Sequence, residues 1–431
     1  MMAEIQLEER VPVCGEYEII VAGGGVAGVA AAVAAARLGK KVLLIEKSMK
    51  LGGLATLGLI NLFVPMCNGR GKQIIFGMAE ELLRLSVRYG YGGVPDDFCN
   101  GRIPEARLAQ YRAQGQKPPR YATRFSAEIF ALCLTELCRD AGVELLFDSI
   151  ISRPVMDPVR PNHVRGVVVE NKSGREYYGA QYFIDVTGDG DLMARAGLPT
   201  VERGNFHTYM GFCVTLDSCR KAIEHDDIAY ASRYYCGGGA SLYGDNHPKE
   251  IPLYYGTSHA EVNRYLIDNQ LEMLQKLKQT DRKSRDILTL PGMAQFRTTR
   301  RIAGDYVLQE SDTYRHFDDS IGAINDFDRR DYLFEIPYRT LVRHGWDNII
   351  TAGRSAAGDG YAWDVMRVIP PAIISGQAAG IACALATDSG CAITDVDVAQ
   401  LQAELRHENV LLHFDDADVP TVSDSTVEHN D

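Results

Sequence analysis

Residues 17–47, YEIIVAGGGVAGVAAAVAAARLGKKVLLIEK, decide the architecture. YEIIVA is an apolar run of strand length, GGGVAG is a glycine turn, the alanine-rich stretch is helical, and KVLLIEK is a second strand. Together they predict a compact β-α-β unit. Gly23, Gly25 and Gly28 form G-x-G-x-x-G at the end of the first strand and the start of the helix. In that setting the first glycine permits a tight turn and the second lets backbone approach a pyrophosphate. The third lets helix and strand close up, and the helix N-terminus offers free N–H groups to the anion. Glu46 ends the second strand 18 residues past Gly28, near the spacing of about 20 at which a carboxylate reaches a ribose hydroxyl pair. An acid there disfavours a 2'-phosphate, so the expected ligand is an unphosphorylated dinucleotide.

Both NAD and FAD fit that fingerprint, and further segments point to FAD. Gly52 and Gly53, in KLGGLAT, offer amides without side chains beside a diphosphate or ribityl chain. More than 300 residues later AGRSAAGDG repeats the strand-turn pattern, with Gly358 in the turn and Asp359 placed to accept from ribityl hydroxyls. The helix after Pro371 would aim its positive end at the N1/C2=O edge of a flavin. A chain that returns to its cofactor from such a distance suits the long FAD molecule, expected here without a covalent bond.

The 431 residues carry a formal net charge of -12, which disfavours attraction to a phosphate backbone, so nucleic acid is not an expected partner. Ten cysteines are scattered without C-x-x-C, and the N-terminus has no apolar leader core, a pattern expected of free thiols in the cytoplasm. Residues 19–38 have the length of a membrane span, but their glycine cluster reads as a buried strand, turn and helix. Residues 126–140 read as a helix, and 142–151, 163–171 and 181–188 as strands. Residues 102–120 read as a surface loop, at most with a short helix. From 201 to 338 the β-α rhythm is lost, with one long helix at 259–280, which predicts a second, α+β substrate domain. CGGGAS at 236–241 lacks the context of a nucleotide site and reads as a loop. With no dedicated NAD domain, the disulfide-reductase branch is disfavoured. No metal-ligand spacing is present. Residues 415–431 read as an acidic disordered tail.

VAGGGVAG, IEKSMKLGGLAT, FIDVTGDGDL (183–192), RTTRRIAGDY (297–306), EIPYRTLV (335–342) and NIITAGRSAAGDGYAWDVMRVIPPAIISGQAAG (348–380) resemble one group of proteins. It is the bacterial FAD-dependent oxidoreductase family of the glutathione-reductase-like (two-dinucleotide-binding) flavoprotein superfamily, over residues 17–405. The resemblance implies an α/β Rossmann-like FAD-binding domain assembled from 14–200 and 339–414, with 201–338 as the substrate domain. It implies FAD contacts from Gly23, Gly25, Gly28, Glu46, Lys47, Gly53, Gly188, Asp189 and Asp359, with Ile151 as a backbone partner for adenine. Relatives often place an acid beside the first arginine of RTTRRIAG, where this chain has Thr298, which weakens any role carried over to that segment.

Arg297, Arg300 and Arg301 stand at helical spacing and would share a face able to hold a substrate carboxylate or relay a proton. The alternative is an ion-pair cluster between domains. Arg300 and Arg301, with His207 as a general base, are the catalytic candidates. His259 and His316 are further imidazoles to test, and Tyr361 and Asp364 face either the flavin or the packing of the next helix. Cys67 reads as an inert buried thiol. The expected activity is hydride transfer between flavin N5 and a small, anionic molecule. A flavin monooxygenase is the alternative, and an RNA-modifying flavoprotein a weaker one. Assembly into a homo-oligomer stays open.

Overall fold

The run YEIIVA becomes the core of strand β1 (Val13–Ala22), whose last four residues are all buried. In the computed structural model, which describes residues 8–95 and 101–420, β1 lies between β2 (Val42–Ile45) and the strand Gly174–Asp185, parallel to both. The strands Glu144–Leu146 and Ile349–Thr351 extend the parallel set on either side. Val164–Asn171 and Ile150–Met156 complete the seven-stranded sheet as an antiparallel meander. Helices cover one face of the parallel part and the meander packs with Leu192 and Met193 on the other, so its strands are continuously apolar rather than alternating.

The helix α1 (Val26–Arg37) is buried from Val26 to Ala35. Its alanines let another helix, Ile369–Ser389, approach to backbone contact. A Cβ built on Gly376 would lie 2.2 Å from the Ala27 carbonyl oxygen, and one on Gly380 would lie 2.2 Å from that of Ala31. Pro370 and Pro371 occupy the first turn of this helix, where their missing N–H costs nothing. Ile369–Ser389 has the length and hydropathy of a membrane span, yet 94% of its apolar window is buried inside the protein, the mark of a core helix. Residues 19–38 are the end of β1, the glycine turn and α1, as expected.

A second lobe holds a three-stranded antiparallel sheet, with Thr208–Thr215 between Ser232–Gly239 and Arg285–Thr289. The helix His259–Lys278 packs on it over Tyr209, Tyr254, Tyr265, Met273 and Phe296. Residues 306–342 lie in sequence with this lobe, but Tyr338, Leu341 and the pair Ser320–Asn325 and Leu333–Pro337 pack into the cluster that contains α1 and Ile369–Ser389.

Several local expectations change. The stretch 142–151 is not one strand: Asp148 turns with φ +49°, so its two ends pair at opposite edges of the sheet. Residues 236–239 are strand rather than loop, because Cys236 and Gly239 pair with Met210 and Thr208. Residues 102–120 do contain a short helix, Glu105–Ala113. The expected disordered tail starts too early. Asp415 caps the turn Asp416–Asp418, and Lys72 Nζ donates to Asp418 at 2.5 Å; residues 421–431 lie outside the described residues.

Candidate active site

Each fingerprint glycine meets a different constraint. Gly23 has φ +108°, and a Cβ there would lie 2.5 Å from the Val186 carbonyl oxygen. A Cβ on Gly28 would lie 1.9 Å from the Gly23 carbonyl oxygen, so this glycine is required by packing. Gly25, the N-cap of α1, would place a Cβ with nothing within 4 Å, so the space above it is open. No acidic residue occupies the first turn of α1, so its free amides face this space.

Four segments converge here. Glu46, 7% exposed, accepts from the Gly24 amide at 2.6 Å and the Ser48 amide at 2.8 Å, so its carboxylate sits against the glycine turn. The Gly52 amide donates to the Gly24 carbonyl at 2.7 Å, and a Cβ on Gly53 would lie 3.1 Å from Gly25 Cα, stacking KLGGLAT on the same turn. The Val186–Gly188 turn abuts Gly23, and Asp189 beyond it accepts from Arg354 Nη2 and Thr299 Oγ1, both at 2.8 Å. Gly353 brings the late segment in: a Cβ there would lie 3.0 Å from Ala27 Cβ, and its amide donates to Ser375 Oγ at 2.9 Å.

Two buried polar atoms near these turns, Ser355 Oγ and Arg301 Nε, have no protein partner. With the open space over Gly25, they fit a long polar cofactor lying along the cleft. Asp359 is exposed at the start of the helix Gly360–Met366, its carboxylate 3.8 Å from Arg301 Nη2. Lys47 is exposed at the end of β2. The Ile151 carbonyl is already taken by Arg195 Nη1 at 2.6 Å, so its backbone is only partly free for adenine.

The arginine set departs from expectation. Arg300–Ile302 is a strand paired with Thr200–Glu202, and Arg297, Arg300 and Arg301 share no helix face. The β-branched pair Thr298 and Thr299 favours this extended course. Arg300 reaches Glu202 at 3.2 Å and Asp191 at 3.5 Å. Arg297 donates to the Ser241 carbonyl at 2.7 Å, and burial holds its pKa down at about 10. Arg301 packs against Trp363, 5.6 Å from the ring centroid, and burial lowers its pKa as well. Arg300 through Asp191, and Arg301 through Trp363, tie this strand to the cofactor half.

His207 is likewise committed: Nε2 meets Glu272 at 2.8 Å and Nδ1 meets the Tyr254 hydroxyl at 3.2 Å, at 1% exposure in the second lobe. With both nitrogens engaged it helps to hold Tyr254 and the helix His259–Lys278 together. His259 lies exposed at the start of its helix, and His316 pairs with Glu335 far along the chain. Cys67 is fully buried, and burial pushes its thiol up, as an inert thiol requires.

A cleft of about 350 Å³ opens at Gly360, one residue past Asp359, with Arg203, Phe206, Tyr243, Arg329 and Tyr361 on its walls. Arg203 donates to the Gly360 carbonyl at 2.8 Å and to Asp364 at 3.0 Å, while Arg367 donates to the other oxygen of Asp364 at 2.8 Å. Asp364 also lies in Coulombic range of Arg297, so one carboxylate faces three guanidinium groups. Tyr361 stacks on Tyr243 at 6.4 Å and Phe327 at 6.2 Å, and its hydroxyl donates to Asp326 at 2.8 Å. Asp326 has no exposed surface and its Oδ2 has no partner; burial raises its pKa, and burial beside Asp326 raises that of Tyr361. Tyr361 and Asp364 were visible in sequence. Arg203 was not, because a single arginine in VERGN looks like any surface turn.

Fold and site define a Rossmann-type dinucleotide-binding enzyme. Residues 18–235 and 257–405 match the family described as FAD dependent oxidoreductase. The chain belongs to that family: it is an FAD-dependent oxidoreductase, and FAD is its cofactor. Thioredoxin reductase of Ureaplasma parvum serovar 3 is 32% identical over 92 residues, which are 21% of this chain and span 30% of that reductase. Among solved structures, a geranylgeranyl bacteriochlorophyll reductase-like protein from Thermoplasma acidophilum is 14% identical, over 92% of this chain and 84% of that one, at TM-score 0.41. L-proline dehydrogenase from P. horikoshii is 13% identical, over 93% of this chain and 100% of that one, at TM-score 0.40. p-Nitrophenol 4-monooxygenase from Pseudomonas putida is 15% identical, over 91% and 83%, at TM-score 0.44.

Proposed function

We propose that the chain is a dehydrogenase or reductase that moves a hydride between flavin N5 and a small, planar, anionic substrate seated in the Gly360 cleft. The observation that carries this reading is the charge at that cleft: Arg203, Arg297 and Arg367 surround the single carboxylate of Asp364, leaving an excess of positive charge one residue-turn from Asp359. FAD supplies the two-electron chemistry. Gly25 would leave room for its diphosphate beside the α1 N-terminus, with Gly52 and Gly53 held against the same turn and Gly23, Gly28 and Gly188 shaping it. Glu46 would take the adenosine ribose, with Lys47 at its rim and the Ile151 backbone beside adenine. Gly358 and Asp359 would meet the ribityl chain, while Asp189 acts by fixing Arg354.

In the cleft, Arg203 grips the substrate's acid group, and Tyr243 and Tyr361 flank its plane. Tyr361 remains a neutral phenol; its hydroxyl takes the proton the substrate gives up and passes its own to Asp326, so hydride and proton leave the substrate together. Residues 14–200 and 306–414 form the cofactor half, and 201–305, with Arg329, contribute most of the substrate wall. Anaerobic mixing of the purified holoprotein with a panel of small carboxylates, aromatic and aliphatic, tests this. Bleaching of the flavin band by at least one aromatic acid is expected. No bleaching across the panel overturns the reading, and oxygen-dependent hydroxylation instead points to monooxygenase chemistry.

A further inference from the structure

Away from the glycine turns, three distant stretches bring metal-ligating side chains together: His316, Glu335 on the strand Leu333–Pro337, and His413. The Glu335 carboxylate has no exposed surface, and the Phe317 amide donates to it at 2.8 Å. One of its oxygens lies 2.6 Å from His316 Nδ1 and the other 3.0 Å from His413 Nδ1. Among the described residues no lysine or arginine pairs with it, so the cationic partners of this buried carboxylate are the two imidazoles, beside the Phe317 amide.

The outer face of His316 gives a second, independent sign. Its Nε2 lies 3.0 Å from Asp416 Oδ1, so with a cation in place Nε2–H would donate outward and the Nδ1 lone pair would be free to turn inward. A carboxylate behind the far nitrogen is how metal-binding histidines are oriented and made more basic. The three ligand atoms lie within 4.8 Å of one another. Around a tetrahedral zinc ion with bonds of about 2.0–2.2 Å, ligand atoms sit roughly 3.4 Å apart. The His316 and His413 side chains are 41% and 40% exposed, so each has room to swing outward by that difference.

We infer that His316 Nδ1, His413 Nδ1 and a Glu335 oxygen form a three-ligand site for a divalent cation, Zn²⁺ above all, with solvent as the fourth ligand. Two imidazoles and one carboxylate suit zinc and exclude Mg²⁺ and Ca²⁺, which demand oxygen ligands. Binding displaces the imidazole protons that otherwise point at Glu335. The cation then clamps residues 411–416 to the Ser320–Asn325 and Leu333–Pro337 pair, a seam otherwise held by bonds such as Ser320 Oγ to the Leu412 carbonyl at 2.6 Å. The sequence hides the site because its ligands lie 19 and 78 residues apart.

The test uses the full-length flavoprotein, stripped with a chelator, dialysed against Zn²⁺ and read by elemental mass spectrometry, beside His316→Gln, His413→Gln and Asp416→Asn. All three positions are partly exposed, and retained flavin with an unchanged circular dichroism spectrum confirms folding. One Zn²⁺ per wild-type chain is expected, with at least a tenfold loss of affinity in each histidine variant. Asp416→Asn should lose about 10- to 100-fold, and wild type should gain about 3 °C in Tm at a hundredfold excess over its Kd, with every variant gaining about half of that or less. Zn²⁺ no higher than the buffer blank in wild type overturns the inference. So does equal retention by both histidine variants, which would place the ion on the thiols.

Discussion

Replacing Gly25 with alanine separates what the glycine turn does for the fold from what it does for FAD. Gly25 has φ -64° and ψ 175°, a conformation any L-residue adopts, and its added methyl meets no protein atom within 4 Å. The apoprotein should therefore be unharmed, or stabilised by about 0.4–1 kcal/mol through a less flexible unfolded chain. The methyl would occupy the open space at the α1 N-terminus, where the account places the diphosphate. Forcing a methyl into a close contact costs about 1–3 kcal/mol, so FAD affinity should fall roughly 10- to 100-fold. Gly28→Ala is the contrast: its methyl would lie 1.9 Å from the Gly23 carbonyl oxygen, so the apoprotein itself should lose stability. The assays are urea midpoints of flavin-free protein and fluorescence titration with FAD. A Gly25→Ala protein that binds FAD as tightly as wild type would refute the placement. One whose apoprotein unfolds early would refute the packing argument.

Three other outcomes follow from the site and the core. Arg203→Gln should raise KM for an anionic substrate by roughly 10- to 100-fold, the worth of one charge-assisted contact, while bound flavin stays at wild-type level; steady-state kinetics with a flavin count check both. Tyr361→Phe keeps the ring stack and removes the proton carrier, so kcat should drop about 100-fold with little change in KM; an unchanged kcat and pH profile would remove Tyr361 from the chemistry. Burial pushes Asp185 up to about 6 despite bonds from the Met193 and Thr187 amides. The folded state thus holds this proton more tightly than the unfolded one, and stability should fall as pH rises from about 4 to 6, by at most about 3 kcal/mol. Asp185→Asn should flatten that part of a pH series of urea midpoints; an identical slope in both proteins would refute the assignment.

What could be seen in the sequence follows how local each constraint is. Gly23, Gly25 and Gly28 were legible because turn, approach and packing all arise within one β-α unit. Gly353 and the Gly358–Asp359 turn were legible as a second strand-turn pattern. Gly376 and Gly380 were not, because their requirement comes from the carbonyls of Ala27 and Ala31, some 350 residues earlier. The arginines misled because i, i+3, i+4 spacing is only a helix signal if the chain is helical, and pairing with Thr200–Glu202 overrode it. Asp326 gave no sign either: its importance depends on burial and on the Tyr361 hydroxyl that reaches it from another segment.

Four segments of one chain placed to hold a single, non-covalent FAD carry a direct consequence. Acid precipitation of the purified protein, with the flavin identified and counted by chromatography and mass spectrometry, should give one intact FAD per chain in the supernatant and a colourless pellet. Flavin retained in the pellet, FMN in place of FAD, or no flavin even after incubation with excess FAD would contradict it.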